Sequence, residues 1–195
     1  MHKAARVLHD EHLTISAVLQ ALQHLTRMAQ DPRVKADFKA FHAIIHYIDA
    51  FPERLHHPKE DQVLFARLWE RSVEARPLVD KLKAEHVEGA RLVRDLERAV
   101  RKYEEIWPRG AQDFAAAVQA YADFHWRHMS CEEQELLPLA ERALGEEDWA
   151  AIEQAFAQND DPIADLRGQD FEQLYTRILS LAPAPIGLGE PWKRA

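Results

Sequence analysis

The chain has 195 residues, of which 47% are hydrophobic and 30% are charged, and its formal net charge is −8. A chain of this length and composition is expected to fold as one well-buried domain. The negative charge argues against a nucleic-acid surface and against a basic helix lying on a membrane. Only 6 residues are glycine, and the abundance of alanine, leucine, glutamate and arginine favours helices over strands.

The sequence predicts a soluble, cytoplasmic protein. Cys131 is the only cysteine, so no internal disulfide can form, which fits a reducing compartment. The first residues lead directly into the charged run His9-Asp10-Glu11-His12 and contain no apolar core of a signal peptide. No apolar run is long enough to cross a bilayer.

The first two predicted helices cover about residues 4–29 and 34–71, where apolar residues recur at helical spacing. Asp31-Pro32 marks the turn between them. Pro52 and Pro58 interrupt the second pattern, and a proline inside a helix removes a backbone donor. We therefore expect the second helix to be bent or to consist of two pieces.

Two further long helices are predicted over about residues 74–106 and 111–143, with Pro77 in the first turn of the former. Trp107-Pro108-Arg109-Gly110 forms the turn between them. Four long helices joined by short turns bury their apolar stripes most simply as an antiparallel up-down four-helix bundle, an all-α fold.

The chain beyond the bundle contains two shorter helical patterns, at residues 147–157 and 171–181, and an irregular tail rich in proline and glycine from 182 to 195. We expect these accessory helices to pack on one end of the bundle. The predicted organisation is therefore a bundle domain over residues 1–143 followed by an accessory segment over 144–195.

Two stretches share the order of a histidine, three residues, two acids, two residues and an apolar pair. His56 precedes Glu60 in the first stretch, and His128 precedes Glu132 in the second. Residues four apart on a helix lie about 40° apart around its axis and one turn along it. Each histidine therefore points the same way as its glutamate, and such a pair can bind a transition metal.

The repeat extends to the preceding helices, because His12 follows Glu11 in the first helix and His86 follows Glu85 in the third. Each half of the chain is then a helical hairpin with one histidine on its first helix and a His-x-x-x-Glu pair on its second. Two hairpins related by a pseudo-twofold axis would gather six side chains at the bundle centre, where they can hold two metals. The six residues are His12, His56, Glu60, His86, His128 and Glu132.

These motifs together resemble the hemerythrin-like, HHE cation-binding family over about residues 8–139. The residues that carry the resemblance are Asp10-Glu11-His12, His56-His57, Glu60-Asp61, Leu64-Phe65, Glu85-His86, His128, Glu132-Glu133 and Leu136-Leu137-Pro138. The resemblance implies an up-down four-helix bundle with a non-haem di-iron centre, and it assigns the same six side chains as metal ligands.

The chain departs from the oxygen-carrying hemerythrins at two positions. Those proteins place a second histidine four residues along the third helix, where this chain has Ala90. They also space the histidine and the acid of the fourth helix by five residues, which here would select Glu133 instead of Glu132. This chain therefore lacks one nitrogen ligand that reversible oxygen carriers use.

The implied cofactor is a pair of iron ions with an oxo or hydroxo bridge, and manganese or zinc are alternatives for the same ligands. Two octahedral ions have about twelve coordination positions. Four imidazoles, two bridging carboxylates and the small bridge leave about two of them open to dioxygen, nitric oxide or peroxide. We expect a protein that binds, senses or detoxifies such a ligand, or that serves iron homeostasis, with no protein partner indicated.

Two other functions remain open on the sequence. A di-iron oxidase or peroxidase of the ferritin-like kind uses Glu-x-x-His on two helices, whereas this chain has the pattern once, at Glu53 and His56. The third alternative is a helical interaction module in which the metal is structural or absent and the accessory helices form the partner surface.

The choice of ligands also leaves alternatives. His57 with Asp61 is the competing register of the second-helix pair, and both registers contribute if Pro58 turns the helix. Weaker candidates for ligands are His9, His42, His46 and His125. Acids beside the proposed ligands are candidates for orienting an imidazole: Glu11, Asp61, Glu85 and Glu133. Cys131 is expected to be a small buried hydrophobe.

Overall fold

The computed structural model describes residues 2–31 and 33–157, and every regular element in this part of the chain is helical. The α-helical segments are α1 (Lys3–Ala29), α2 (Phe38–Ile48), α3 (His57–Lys59), α4 (Phe65–Arg71), α5 (Arg76–Glu105), α6 (Ala111–Cys131), α7 (Leu137–Ala143) and α8 (Glu146–Ala157). Three π-helical segments, π1 (Asp49–His56), π2 (Glu60–Leu64) and π3 (Glu132–Leu136), connect some of them.

Four helical columns pack around one another. The first is α1, the second runs from α2 through π1, α3 and π2 to α4, the third is α5, and the fourth joins α6, π3 and α7. α6 packs along both α5 and α1, and α2 contacts the same two helices from the other side. Because the connections are short, successive columns are antiparallel. The structure therefore confirms the predicted all-α bundle.

Apolar side chains form two buried clusters, one toward each end of the bundle. The larger cluster includes Leu22, Phe41, Leu96 and Phe114. The smaller cluster includes Leu8, Phe65, Leu82 and Leu136. Along α1, His12 lies between Leu8 of the smaller cluster and Ile15 of the larger one, and His86 holds the same place on α5. The bundle thus contains a polar layer between two apolar ones.

The second column remains helical through both of its prolines and changes to the wider π register instead of breaking. Pro52 lies within π1, and Pro58 lies between π1 and π2. Proline has no N–H to donate to the preceding turn, so the α-helical hydrogen-bond ladder is interrupted at these points. The His57 N–H donates to the Pro52 carbonyl, a bond across five residues that is typical of a π turn.

The fourth column repeats this feature at the equivalent place. π2 begins at Glu60 and π3 begins at Glu132, and each is closed by an N–H that donates to the carbonyl of that glutamate. Pro138 is the second residue of α7, which follows π3 directly. The two hairpins therefore share a π turn at the acid of the His-x-x-x-Glu pair, which agrees with the internal repeat of the sequence.

α8 packs against α1 and π2 and adds Trp149, Ile152 and Phe156 to the smaller apolar cluster. The accessory helix predicted at 171–181 and the tail at 182–195 lie outside the described residues. The division into a bundle domain and an accessory segment stays a prediction. Within the part of the chain that the structure describes, no helix has an apolar stretch long enough to cross a membrane.

Asp148 connects the start of α8 to the second column through hydrogen bonds. Its Oδ2 atom accepts hydrogen bonds from Arg71 Nε at 2.9 Å and from the Gly145 N–H at 3.2 Å, and Oδ1 lies 3.3 Å from Arg67. The hydrogen bond from Arg71 is the main reason why the pKa of this carboxyl is lowered. A lowered pKa stabilises the fold above the ordinary pKa of aspartate, and the contribution is lost as the pH falls through the lowered value.

We expect Asp148→Asn to lower the melting temperature at neutral pH by about 2–4 °C, the shift that about 1 kcal/mol produces in a chain of this size. In strongly acidic buffer the difference from the unmodified chain should shrink, because Asp148 is then protonated in both states. Asp113→Asn is the control, since Asp113 pairs with Lys102 at the exposed surface. An equal shift at both pH values, measured by thermal unfolding, would contradict this account.

Candidate metal centre

The polar layer brings together the six predicted ligands and one further histidine. His12 lies on α1, His86 on α5 and His128 on α6, and Glu60 and Glu132 begin π2 and π3. His56 ends π1 and His57 begins α3, so two neighbouring residues both turn toward the bundle centre. All seven side chains are buried, with no more than 6% of any residue exposed.

One group of donor atoms is formed by His12 and His56 with one oxygen from each glutamate. His12 Nε2 lies 3.3 Å from Glu132 Oε2, and His56 Nε2 lies 3.5 Å from Glu60 Oε1. The donor atoms of this group lie within 4.8 Å of one another. Two imidazoles and two carboxylate oxygens thus surround one point in the layer.

The second group contains three imidazoles. His57, His86 and His128 offer donor atoms within 4.8 Å of one another and of Glu60. His86 Nε2 lies 3.1 Å from His128 Nε2 and 3.5 Å from Glu60 Oε2. The His57 ring stacks on the His86 ring with centroids 4.1 Å apart.

Glu60 belongs to both groups, and Glu132 belongs to the first group and contacts His128 of the second. Glu60 turns Oε1 to His56 and Oε2 to His86. Glu132 turns Oε2 to His12 and Oε1 to His128, the latter at 3.3 Å. Each carboxylate therefore spans the two groups, as a bridge between two metal ions does.

The unpaired polar atoms of the layer fit a pair of cations. Buried polar atoms normally have hydrogen-bond partners, yet seven atoms of this layer have none among the described residues. They are His12 Nε2, His56 Nε2, His57 Nδ1 and both carboxylate oxygens of Glu60 and of Glu132. Ligands about 2.1 Å from one ion lie about 3 Å apart at right angles, which is close to the separations within each group. The donor set therefore fits metal ions.

The opposite nitrogen of four imidazoles donates to a carboxylate on the outer side of the layer. The pairs are His12 with Glu133 at 3.0 Å, His56 with Glu11 at 2.8 Å, His86 with Asp61 at 3.0 Å and His128 with Glu85 at 3.0 Å. Each acid is the sequence neighbour of a residue in the layer. A bond from Nδ1–H leaves the lone pair of Nε2 facing the bundle centre, as metal binding requires.

A family model described as the hemerythrin HHE cation binding domain matches residues 3–140. The chain belongs to this family. The match confirms the resemblance drawn from the sequence and implies cation binding, and the layer of imidazoles and carboxylates contains groups that could hold a metal ion. A search of curated proteins found no match.

When no cation is bound, burial and the neighbouring charges shift the pKa values of the ionisable groups in the HHE layer. Burial raises the pKa of Glu60, and the charge of Glu132 raises it further. Burial opposes the charged form of His12, but hydrogen bonds with Glu132 and Glu133 outweigh burial and raise the pKa of His12 to about 9. Burial prevails at His56 and lowers its pKa to about 4.

The other histidines weighed in the sequence lie outside the two donor groups of the HHE domain. His125 is buried, but its Nε2 faces Glu53 at 3.6 Å. His9 is half-exposed and bonds to Glu133, and His42 pairs with Glu104 at the surface. His46 is exposed. Cys131 is buried, as expected for a small hydrophobe, with its Sγ 3.4 Å from Lys81 Nζ.

The sequence left His56 with Glu60 and His57 with Asp61 as competing pairs. In the structure, both His56 and His57 lie in the polar layer. The structure also places a fifth outer carboxylate, Glu53, 3.3 Å from His57 Nδ1, within ion-pair distance but without hydrogen-bond geometry. Glu53 precedes His57 by four residues, so the same helical spacing that identified the His-x-x-x-Glu pairs also relates these two side chains. The Glu-x-x-His pattern at Glu53 therefore supports a neighbouring imidazole instead of supplying a ferritin-like ligand.

Removing the charge of Glu60 should separate its metal-binding role from its effect on folding. We expect metal-free Glu60→Gln to melt at or above the temperature of the unmodified chain, because the variant removes an acid whose raised pKa costs stability at neutral pH. Adding ferrous iron should raise the melting temperature of the unmodified chain far more than that of the variant.

Glu104→Gln is the matched control, because Glu104 lies at the surface and pairs only with His42 among the contacts described above. A clear loss of stability in metal-free Glu60→Gln, measured by thermal unfolding, would show that Glu60 supports the fold without a cation.

Proposed function

We propose that this HHE domain is a non-haem di-iron protein that binds a small ligand such as dioxygen, nitric oxide or peroxide. The observation that carries the proposal is that Glu60 and Glu132 each contact buried imidazoles of both groups. One iron would be held by His12 and His56, and the other by His57, His86 and His128. Both glutamates would bridge the pair.

The chemistry of the donors favours iron. Imidazole nitrogen with carboxylate oxygen suits iron, with manganese and zinc as alternatives, whereas paired thiolates would be needed for a typical structural zinc site. The fifth imidazole compensates for the nitrogen that the third helix lacks at Ala90. Two octahedral ions with five imidazoles and two bridging carboxylates leave about three of about twelve positions for ligands from outside the protein.

A bound iron pair supplies open coordination positions and reversible electron transfer. The chain's own residues orient the donors and limit the access of water. The outer carboxylates hold the Nδ1–H protons of His12, His56, His86 and His128. Aromatic rings cover the layer from the apolar sides: Phe65 stacks on His86 at 5.4 Å, and Phe124 stacks on His128 at 6.1 Å.

These features support a role in binding, sensing or detoxifying a diatomic molecule or peroxide in the cytoplasm, or in iron homeostasis. A small apolar ligand can reach metals enclosed between two apolar clusters more readily than a large polar substrate can.

The test is to load the protein with ferrous iron without oxygen, count the iron, and record optical spectra before and after air is admitted. The unmodified chain should hold about two irons, and its visible spectrum should change in air. The double variant Glu60→Gln/Glu132→Gln should hold about one iron or fewer, because each carboxylate contributes to both ions.

His42→Ala is the control, since it removes an imidazole from the surface and should leave the stoichiometry unchanged. Iron binding that survives in the double variant would overturn the assignment of the site. A stoichiometry near zero in the unmodified chain would overturn the di-iron function itself.

A further inference from the structure

Resting on the proposed function, we propose that a buried cluster outside the donor groups positions His57 as the third imidazole of one iron. The cluster consists of Glu53, Tyr121 and His125. It fits against α5 because Gly89 has no side chain. By holding His57, it would complete the set of three imidazoles proposed above for that iron. Glu53, Tyr121 and His125 are positioning residues, because they act through His57.

Glu53 differs from the other four outer carboxylates in its environment. The side chains of Glu11, Asp61, Glu85 and Glu133 are between 15% and 35% exposed, so water can complete their hydrogen bonds. The Glu53 side chain is 5% exposed. Its orientation therefore depends on protein groups, and a buried carboxylate needs such partners to remain ionised.

Tyr121 and His125 supply those partners from the fourth column. The Tyr121 hydroxyl donates to Glu53 Oε1 at 3.3 Å, and His125 Nε2 lies 3.6 Å from the same oxygen. The Tyr121 and His125 rings also contact each other, with centroids 4.3 Å apart. With Oε1 occupied in this way, Oε2 faces His57 Nδ1 at 3.3 Å.

Gly89 leaves the space that Glu53 occupies. It lies in the interior of α5, where glycine is less favourable than alanine. A Cβ atom at this position would lie 3.3 Å from Glu53 Oε1 and 3.4 Å from the Phe124 ring. The separation from Glu53 Oε1 is tighter than most contacts of a Cβ atom, so an alanine here would require Glu53 to shift by a few tenths of an ångström. The glycine therefore serves the close approach of Glu53 to α5.

The internal repeat explains why only one iron receives a third imidazole. The repeat that aligns His56 with His128 also aligns His57 with Met129 and Glu53 with His125. Met129 belongs to the larger apolar cluster and supplies no imidazole. The equivalent positions Glu53 and His125 face each other, so the second hairpin contributes support for His57 in place of a sixth histidine.

The test measures iron affinity and the Mössbauer spectrum of the full chain carrying Gly89→Ala or Glu53→Gln. Metal-free Gly89→Ala should melt at the same temperature or a few degrees higher, because alanine favours the helix. In the iron-loaded protein, Gly89→Ala should lower the affinity for one of the two irons about 10–100-fold in a chelator titration. This is the loss of affinity that is typical when an outer partner of a ligand is disturbed. The Mössbauer signal of that iron should change while the other stays as it was.

Glu53→Gln keeps the size of the side chain and removes its charge, so it should keep both irons and change the same Mössbauer signal. Val87→Ala is the control on α5: Val87 is 73% exposed, and its replacement raises helix propensity without approaching Glu53. It should leave affinity and spectrum unchanged.

Two irons bound by Gly89→Ala with unchanged affinity and an unchanged spectrum would overturn the positioning role. An equal loss of affinity in Val87→Ala would overturn it as well, since the effect would then belong to α5 in general. Failure of the unmodified chain to bind two irons would instead refute the di-iron function on which the inference rests.

Discussion

The burial of seven ionisable side chains between two apolar clusters is the constraint on which the rest of the structure depends. Burying a charged or polar group without a partner costs several kcal/mol, and both oxygens of Glu60 and of Glu132 have no hydrogen-bond partner among the described residues. The bundle tolerates this layer because the apolar clusters on either side stabilise the fold independently. A pair of cations would neutralise the electrostatic repulsion between the two carboxylates, and the donor atoms would then surround the cations.

The backbone adapts to this layer through its π turns. An α-helix turns about 100° per residue, so neighbouring residues face different directions. The π turns on both sides of α3 change this spacing, and His56 and His57 both reach the layer. The prolines at 52 and 58 interrupt the α-helical ladder there, so the same residues that weaken the helix allow a second imidazole to join the centre. π turns of this kind frequently occur at functional sites.

Much of the fold and of the metal centre follows from helical periodicity. The four columns, the placement of His56 with Glu60, and the placement of His128 with Glu132 depend on spacing within one helix, which the sequence displays directly. The simultaneous use of His56 and His57 depends on a π register, and the sequence offered it only as an alternative that required Pro58 to turn the helix. The role of Glu53 depends on Tyr121 and His125 of another column, and contacts between columns are not visible in local spacing. The crossed pairing of the outer acids, such as Glu11 with His56, has the same origin.

The most direct measurement is a crystal structure of the iron-loaded chain with anomalous diffraction recorded at the iron edge. Two anomalous peaks are expected in the polar layer, bridged by Glu60 and Glu132. His12 and His56 should bind one of them, and His57, His86 and His128 the other. A single peak, or iron bound away from these residues, would contradict the account.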